Sequence, residues 1–290
     1  MGWAWVVYLM LVPALVLLAL WWLRRELTPA RLVHPDGQDA FVPALQHLRI
    51  PTLNQRSLFA QWLSLTPSPH VLGIAVLMHG WGGNGSQLMP AAKVLHAQGW
   101  NVLLPDARSH GLSDKDTFSS LPRFAEDLDA ALNWLLEHEA ASQHRLVVLG
   151  NSLGAAAAIL CASRRKDVSA VVSVSAFAHP EQVMRRWLAD YHIPFWPVGW
   201  VVNRYIEHVI GHRFDDIAPV SRIGLIARPV LLVHGSRDDI VPLDCARRLR
   251  DACDRATLLD VAGSHESFDD QEILYQQVSQ WLCATRDNAL

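Results

Sequence analysis

Six short apolar runs, separated by stretches with helical spacing, constrain this chain more than any other feature. The runs are GIAVLMHG from Gly73, NVLLPD from Asn101, RLVVLG from Arg145, VSAVVSVSA from Val168, PVLLVHG from Pro229 and ATLLDVAG from Ala256. Each is rich in β-branched and aliphatic residues and apolar at successive positions, the pattern of strands buried on both faces of a parallel sheet. Between them, AKVLHAQGW reads as a helix ending at a glycine, and PRFAEDLDAALNWLLEHEA places Phe124, Leu128, Ala131 and Leu135 on one helical face. SLGAAAAILCASRR and EILYQQVSQWLCA read as further helices, and RSLFAQWLSL alternates like an earlier strand. Strand, helix, strand repetition predicts an α/β fold with a mainly parallel central sheet and helices on both sides.

The 290 residues allow one large α/β domain or two smaller ones, and one is favoured. Half of the chain is hydrophobic and the net charge is -3, so neither a disordered chain nor a nucleic-acid-binding one is expected. Cys161, Cys245, Cys253 and Cys283 form no CxxC pair and no metal-like group with histidine; scattered buried thiols are the expectation.

From Gly2 to Leu23 no residue is charged, and about 20 apolar residues suffice to cross a bilayer. Trp3, Trp5 and Tyr8 near one end and Trp21 and Trp22 at the other have the pattern of interfacial aromatic belts. A cleaved signal peptide is the competing reading; it needs a basic leader and a small-x-small cleavage site, and LALWWLRRE supplies neither. Arg24, Arg25 and Arg31 follow the apolar stretch and no Lys or Arg precedes it, which puts the remainder of a single-pass membrane protein in the cytoplasm. The expected layout is therefore a transmembrane anchor over 1–25, a proline-containing connector over 26–51 and an α/β domain over 52–290. Within the last, about 50 residues separate Phe177 from Arg228, against the two to six of a plain connection, so 178–228 reads as an inserted helical lid. Its Trp187, Tyr191, Phe195, Trp196 and Trp200 suit an acyl chain in the pocket below, or simply pack the lid onto the sheet.

The chemistry is concentrated at strand ends. Gly150-Asn151-Ser152-Leu153-Gly154 fits G-x-S-x-G and joins RLVVLG to an alanine-rich helix, the strand–turn–helix setting in which a serine is held exposed at a strand tip. Serine needs a base to take its proton and the base needs a carboxylate to orient it. Both follow in chain order: Asp238, with Asp239 as an adjacent competitor, after PVLLVHG, and His265 after ATLLDVAG. Backbone N–H groups must also receive the negative charge that develops on a carbonyl oxygen. The loop His79-Gly80-Trp81-Gly82-Gly83-Asn84 follows an early strand and offers the N–H of Trp81; the N–H of Leu153 is the second candidate.

With these motifs the chain resembles the α/β-hydrolase superfamily, in particular its lysophospholipase-like and serine-aminopeptidase-like branch, in which an HGxxDxxVP segment carries the acid. His234-Gly235, Asp238 and Val241-Pro242 align with that segment, and Asp106 to Ser113 is similar to the family's D-x-R-x-x-G-x-S loop. The resemblance implies an α/β-hydrolase fold with a lid, Ser152 as nucleophile, His265 as base, Asp238 as acid, Trp81 and Leu153 at the oxyanion hole, and no metal or cofactor. A membrane-anchored serine hydrolase acting on a small-molecule ester or acyl substrate follows. An aminopeptidase or thioesterase on the same residues, and a non-catalytic membrane-tethered binding module, are the alternatives; the oligomeric state stays open. One coincidence competes: Gly80 to Gly85 satisfies GxGxxG after a strand, with Asp106 about 20 residues on, the fingerprint of dinucleotide binding.

Overall fold

The computed structural model describes residues 2–35, 45–65, 71–138, 145–265 and 267–287, leaving aside the side chains at 2, 4–9, 12, 13, 15, 16, 19, 286 and 287. Eight strands form one sheet in the order β1-β2-β4-β3-β5-β6-β7-β8. The expected runs supply β3 (Gly73–Met78), β4 (Trp100–Pro105), β5 (Leu146–Asn151), β6 (Val168–Val174), β7 (Val230–Gly235) and β8 (Ala256–Val261), all mutually parallel. Two antiparallel strands, β1 (Leu45–Thr52) and β2 (Arg56–Leu63), extend the β4 edge. Strand β1 falls in the stretch read as a connector. Half of its side chains are exposed and Pro51 interrupts the pattern, so nothing in its residues alternates cleanly; pairing with β2 makes it a strand.

Parallel strands buried on both faces divide their residues by period two. Ile74, Val76 and Met78 of β3 and Leu146 and Val148 of β5 point into one core, with the faces of α3 (Leu121–His138) and α4 (Leu153–Ala162). Ala75, Leu77, Val147 and Leu149 point into the other, against α2 (Met89–Ala97) and the closing helix, here α10 (Gln271–Asp287). Helix α3 buries Phe124, Leu128, Ala131 and Leu135, the face read from its spacing.

Between β6 and β7 the chain makes its long excursion through α5 (Pro180–Asp190), α6 (Trp200–Ile210), α7 (Phe214–Ile217) and α8 (Pro219–Arg222). Helix α9 (Leu243–Asp251) joins β7 to β8. The three cysteines at 161, 245 and 253 are buried free thiols, whereas Cys283, also free, is exposed.

Residues Gly2–Glu26 form a single helix, α1. Among the described residues no helix is long and apolar enough to cross a membrane, and most side chains of the span expected from Gly2 to Leu23 lie outside those described. The transmembrane assignment therefore draws no support from the structure. Beyond α1 the chain does not hang free: Ser119 N–H bonds Leu27 O at 2.8 Å, Arg31 reaches Ser113 O at 2.6 Å, Asn84 Nδ2 donates to Leu32 O at 3.0 Å, and His34 Nε2 lies 2.8 Å from Asp106 Oδ2.

The loop after β4 is fixed from within. Arg108 is buried and pairs with Asp127 of α3 at 2.7 Å, Glu126 at 2.5 Å and Asp116 at 3.2 Å. Asp127 also accepts the backbone N–H of Arg108 and the Thr52 hydroxyl, so loop, helix and β1 share one carboxylate. Removing one partner of a buried pair leaves an uncompensated charge, at about 3–5 kcal/mol. Arg108→Ala is expected to lose about that much stability in a urea titration, and a loss below about 1 kcal/mol would mean that the pair does not hold the loop.

Candidate active site

In an open parallel sheet, ligands bind beyond the carboxyl ends of the strands where the strand order reverses. Here that point lies between β3 and β5, whose helices α2 and α4 pack on opposite faces. The loop after β3 carries Gly80 and Trp81, and the turn after β5 carries Ser152.

Ser152 has φ 52° and ψ -114°, a conformation that L-residues adopt at a cost of order 1–3 kcal/mol. Its neighbours must be glycine because the turn is too tight for anything larger. A Cβ on Gly150 would sit 2.1 Å from Gly154 O, and one on Gly154 would sit 2.3 Å from the carbonyl oxygens of both Met78 and His79. The strained serine is thus pressed against the end of β3. A Cβ on Gly80 would likewise lie 3.3 Å from Ser152 Cβ, so the Gly80–Trp81 peptide passes alongside the hydroxyl.

His265 Nε2 lies 2.9 Å from Ser152 Oγ, and its Nδ1 lies 2.8 Å from Asp238 Oδ2. Asp238 is buried; its other oxygen accepts the N–H groups of Ile240 at 3.0 Å and Val241 at 2.7 Å. Asp239, the adjacent competitor, is exposed. His234 Nε2 donates to Val241 O at 2.8 Å and closes the turn around the carboxylate. The loops holding Asp238 and His265 are tied together as well, since Arg237 N–H bonds Gly263 O at 2.9 Å and no Cβ fits at Gly235 against Ser264 O. Ser152, His265 and Asp238, far apart in sequence, are therefore brought into one hydrogen-bonded line, and Trp81 and Leu153 border the same cavity. Leu153 opens α4, where the first N–H groups have no intrahelical acceptor. With its Nδ1 proton directed at Asp238, His265 can accept the serine proton through Nε2.

A buried histidine whose side chain has no role assigned from sequence, His79, shapes the loop beneath. His79 Nδ1 donates to Gly80 O at 2.7 Å and its Nε2 accepts the Ala107 N–H at 3.0 Å, which joins the loops after β3 and β4. Asp106 is fully buried and accepts from Gly85 N–H and Leu112 N–H beside His34. It has no oxygen to offer a ribose, and the dinucleotide reading of Gly80 to Gly85 fails on that point; of these glycines Gly80 lies against Ser152, and Gly85 packs against Leu104 and Asp106.

The cavity over Ser152 has a volume of about 770 Å³, within the range of small-molecule sites. Its walls are mainly apolar, and Leu27, Val183, Met184, Ile206 and Ile210 are among the residues that form them. Aromatic rings line it as well, among them Trp81, Phe177, Phe268 and Tyr275. From the insertion Trp187 and Phe214 reach the cavity, while Trp196 is 72% and Trp200 43% exposed.

Residues 69–212 match the family model described as serine aminopeptidase, S33. YqkD of Bacillus subtilis is 31% identical over 52% of this chain and 50% of its own length, so the chain spans about half of that relative. The putative carbamate hydrolase RutD of Escherichia coli is 30% identical over 66% of this chain and 83% of its own length. The chain belongs to the α/β-hydrolase superfamily, in its serine-aminopeptidase-like branch. Among solved structures, the Pyrococcus furiosus esterase Pf2001 superposes with a TM-score of 0.70 at 20% identity, over 88% of this chain and 98% of that one, a likeness of fold.

Burial pushes the pKa of His110 down to about 3, aided by the neighbouring His79, and burial also lowers that of His79 against the pull of Asp106. Because both folded-state values lie below about 6.5, the unfolded chain takes up protons that the native chain refuses, and stability falls as pH drops from about 6.5 towards 3. His110 packs between Trp81 and Phe124, and its buried Nε2 has no hydrogen-bond partner. His110→Phe keeps the ring contacts and removes the titration, so its stability is expected to decline less steeply between pH 6 and pH 4 than that of the wild type in urea titrations at each pH. An unchanged slope would place the acid sensitivity elsewhere.

Proposed function

We propose that this hydrolase-family protein is a serine hydrolase that cleaves carboxylic esters with an apolar acyl part. The observation that carries the reading is the line Ser152 Oγ, His265 Nε2 at 2.9 Å, and Asp238 Oδ2 at 2.8 Å from His265 Nδ1, opening on a mainly apolar cavity. His265 takes the Ser152 proton as Oγ bonds to the ester carbon, and the electron pair moves onto the carbonyl oxygen, held by the N–H groups of Trp81 and Leu153. Collapse of this intermediate expels the alkoxide, which leaves with the proton from His265. Water, deprotonated by His265, then attacks the acyl-enzyme; acid is released and Ser152 recovers its proton. The inserted segment acts as the lid of this site. A thioester or an aminoacyl group fits the same residues, and a panel of matched ester, thioester and aminoacyl substrates separates them.

Ser152→Ala is expected to abolish labelling by a fluorophosphonate probe in folded protein; serine-independent labelling, or none in the wild type, would sink the catalytic reading. Asp238→Asn is expected to lower kcat by about 10⁴-fold and Asp239→Asn by less than threefold. The reverse order would move the acid by one position.

We further infer that α1 anchors the protein in a membrane. Support comes from the uncharged stretch Gly2–Leu23, the tryptophans near its ends and the Arg24–Arg25 pair that follows. The chain should stay in the membrane fraction through alkaline carbonate washing, with a C-terminal tag open to protease on the cytoplasmic side. Release by carbonate contradicts the anchor, and protection of the tag in inside-out vesicles contradicts the orientation.

A further inference from the structure

The last turn of α1 is built into the substrate cavity. Leu23 is only 8% exposed, while Leu17, Leu18 and Trp21 before it stand exposed. Leu23, Glu26 and Leu27 follow at the i, i+3, i+4 spacing of one helical face, and all three line the cavity over Ser152. Trp22, one position away, does not enter the cavity but grips its cover. Its ring stacks on Trp187 of α5 at 5.4 Å and meets Tyr191 edge-on at 5.3 Å; Arg24 Nε donates to Tyr205 OH of α6 at 3.0 Å. The segment that follows is pinned at Leu27, Arg31, Leu32 and His34 to the loops beside the site, so this wall has a fixed distance from Ser152.

From this geometry we propose that Leu23 and Leu27 are specificity-determining residues, which set the acyl chain length the cavity accepts. Trp22 holds the α5 part of the lid against that wall. The inference rests on the acyl-site reading of the cavity, though not on the chemistry at Ser152. A pocket discriminates single methylenes by about 10-fold or more, so a side chain enlarged at the wall is read out as a shortened preference. Leu23 and Leu27 lie on the α1 side and Val183, Met184, Ile206 and Ile210 on the insertion side, so a chain between them is bounded by two separate parts of the sequence.

The test uses the full chain in detergent, with two readouts. In the first, kcat/KM is measured for p-nitrophenyl esters from acetate to palmitate. Leu23→Trp is expected to lower the value for dodecanoate at least 10-fold while acetate changes less than threefold. Leu23→Ala and Leu27→Ala are expected to shift the optimum to longer chains, and Trp21→Ala, on the exposed face, should leave the profile unchanged. In the second, fatty acids of six to sixteen carbons displace an apolar fluorescent dye from the Ser152→Ala protein, with and without Leu23→Trp. Loss of long-chain binding alone in the Leu23→Trp protein supports the wall even if no ester is hydrolysed, an outcome that would overturn the catalytic reading and leave this one standing. The same chain-length preference in wild type, Leu23→Trp and Leu23→Ala, in proteins with matching thermal unfolding, would overturn it.

Discussion

The structure depends on a close approach of backbones that side chains would forbid. Where β5 turns into α4, Gly150 and Gly154 leave no room for a Cβ, and Gly154 lies against the carbonyl groups that end β3. That contact fixes the end of one central strand against the turn from the next, so the hydroxyl of Ser152 and the peptide after Gly80 are neighbours by construction. The positive φ of Ser152 is tolerated because the rigid sheet and helix on either side leave the turn no other path.

Around that contact the fold supplies rigidity in proportion to need. The acid loop is wrapped on itself by N–H bonds to Asp238 and by His234, and it is tied to the loop of His265. The loop after β4 has no candidate catalytic group, yet it is held by the buried Arg108 and Asp127 pair and by Asp106. Its work is to support the loop after β3 through the His79 bridge. Such a chain of supports explains why polar groups with no reacting partner are buried so near the cavity. The insertion has a different character: its exposed Trp196 and Trp200 contrast with the apolar residues, Trp187 and Phe214 among them, that it turns towards the cavity.

Much of this was legible in the residues. The six inner strands, the amphipathic face of α3 and the tight turn at Ser152 were readable because each depends on local period or on a short motif with a steric reason. Strand β1 was not, since its partly polar, edge-strand residues carry no alternation until β2 pairs with them. The insertion's rings were ambiguous for a related reason: composition told that the segment was rich in them, and only packing put Trp187 and Phe214 at the cavity and left Trp196 and Trp200 exposed. The burial of Leu23 and the binding of residues 27–34 across the site were equally invisible, because an apolar helix followed by a proline-containing stretch reads as an anchor and a tether.

By itself, the sequence determined the class of fold and the identity of the groups at the strand ends: apolar runs of strand length can only be buried between helices, and a serine between glycines at a strand tip has few other settings. Only the tertiary structure told Asp238 from Asp239, because adjacent carboxylates have the same sequence context and differ in which one the turn buries beside His265. It likewise decided what closes the cavity. Walls contributed by residues 23–27 and 183–210 come from segments more than 150 positions apart, and no local pattern encodes a contact whose two sides meet only when the chain has folded.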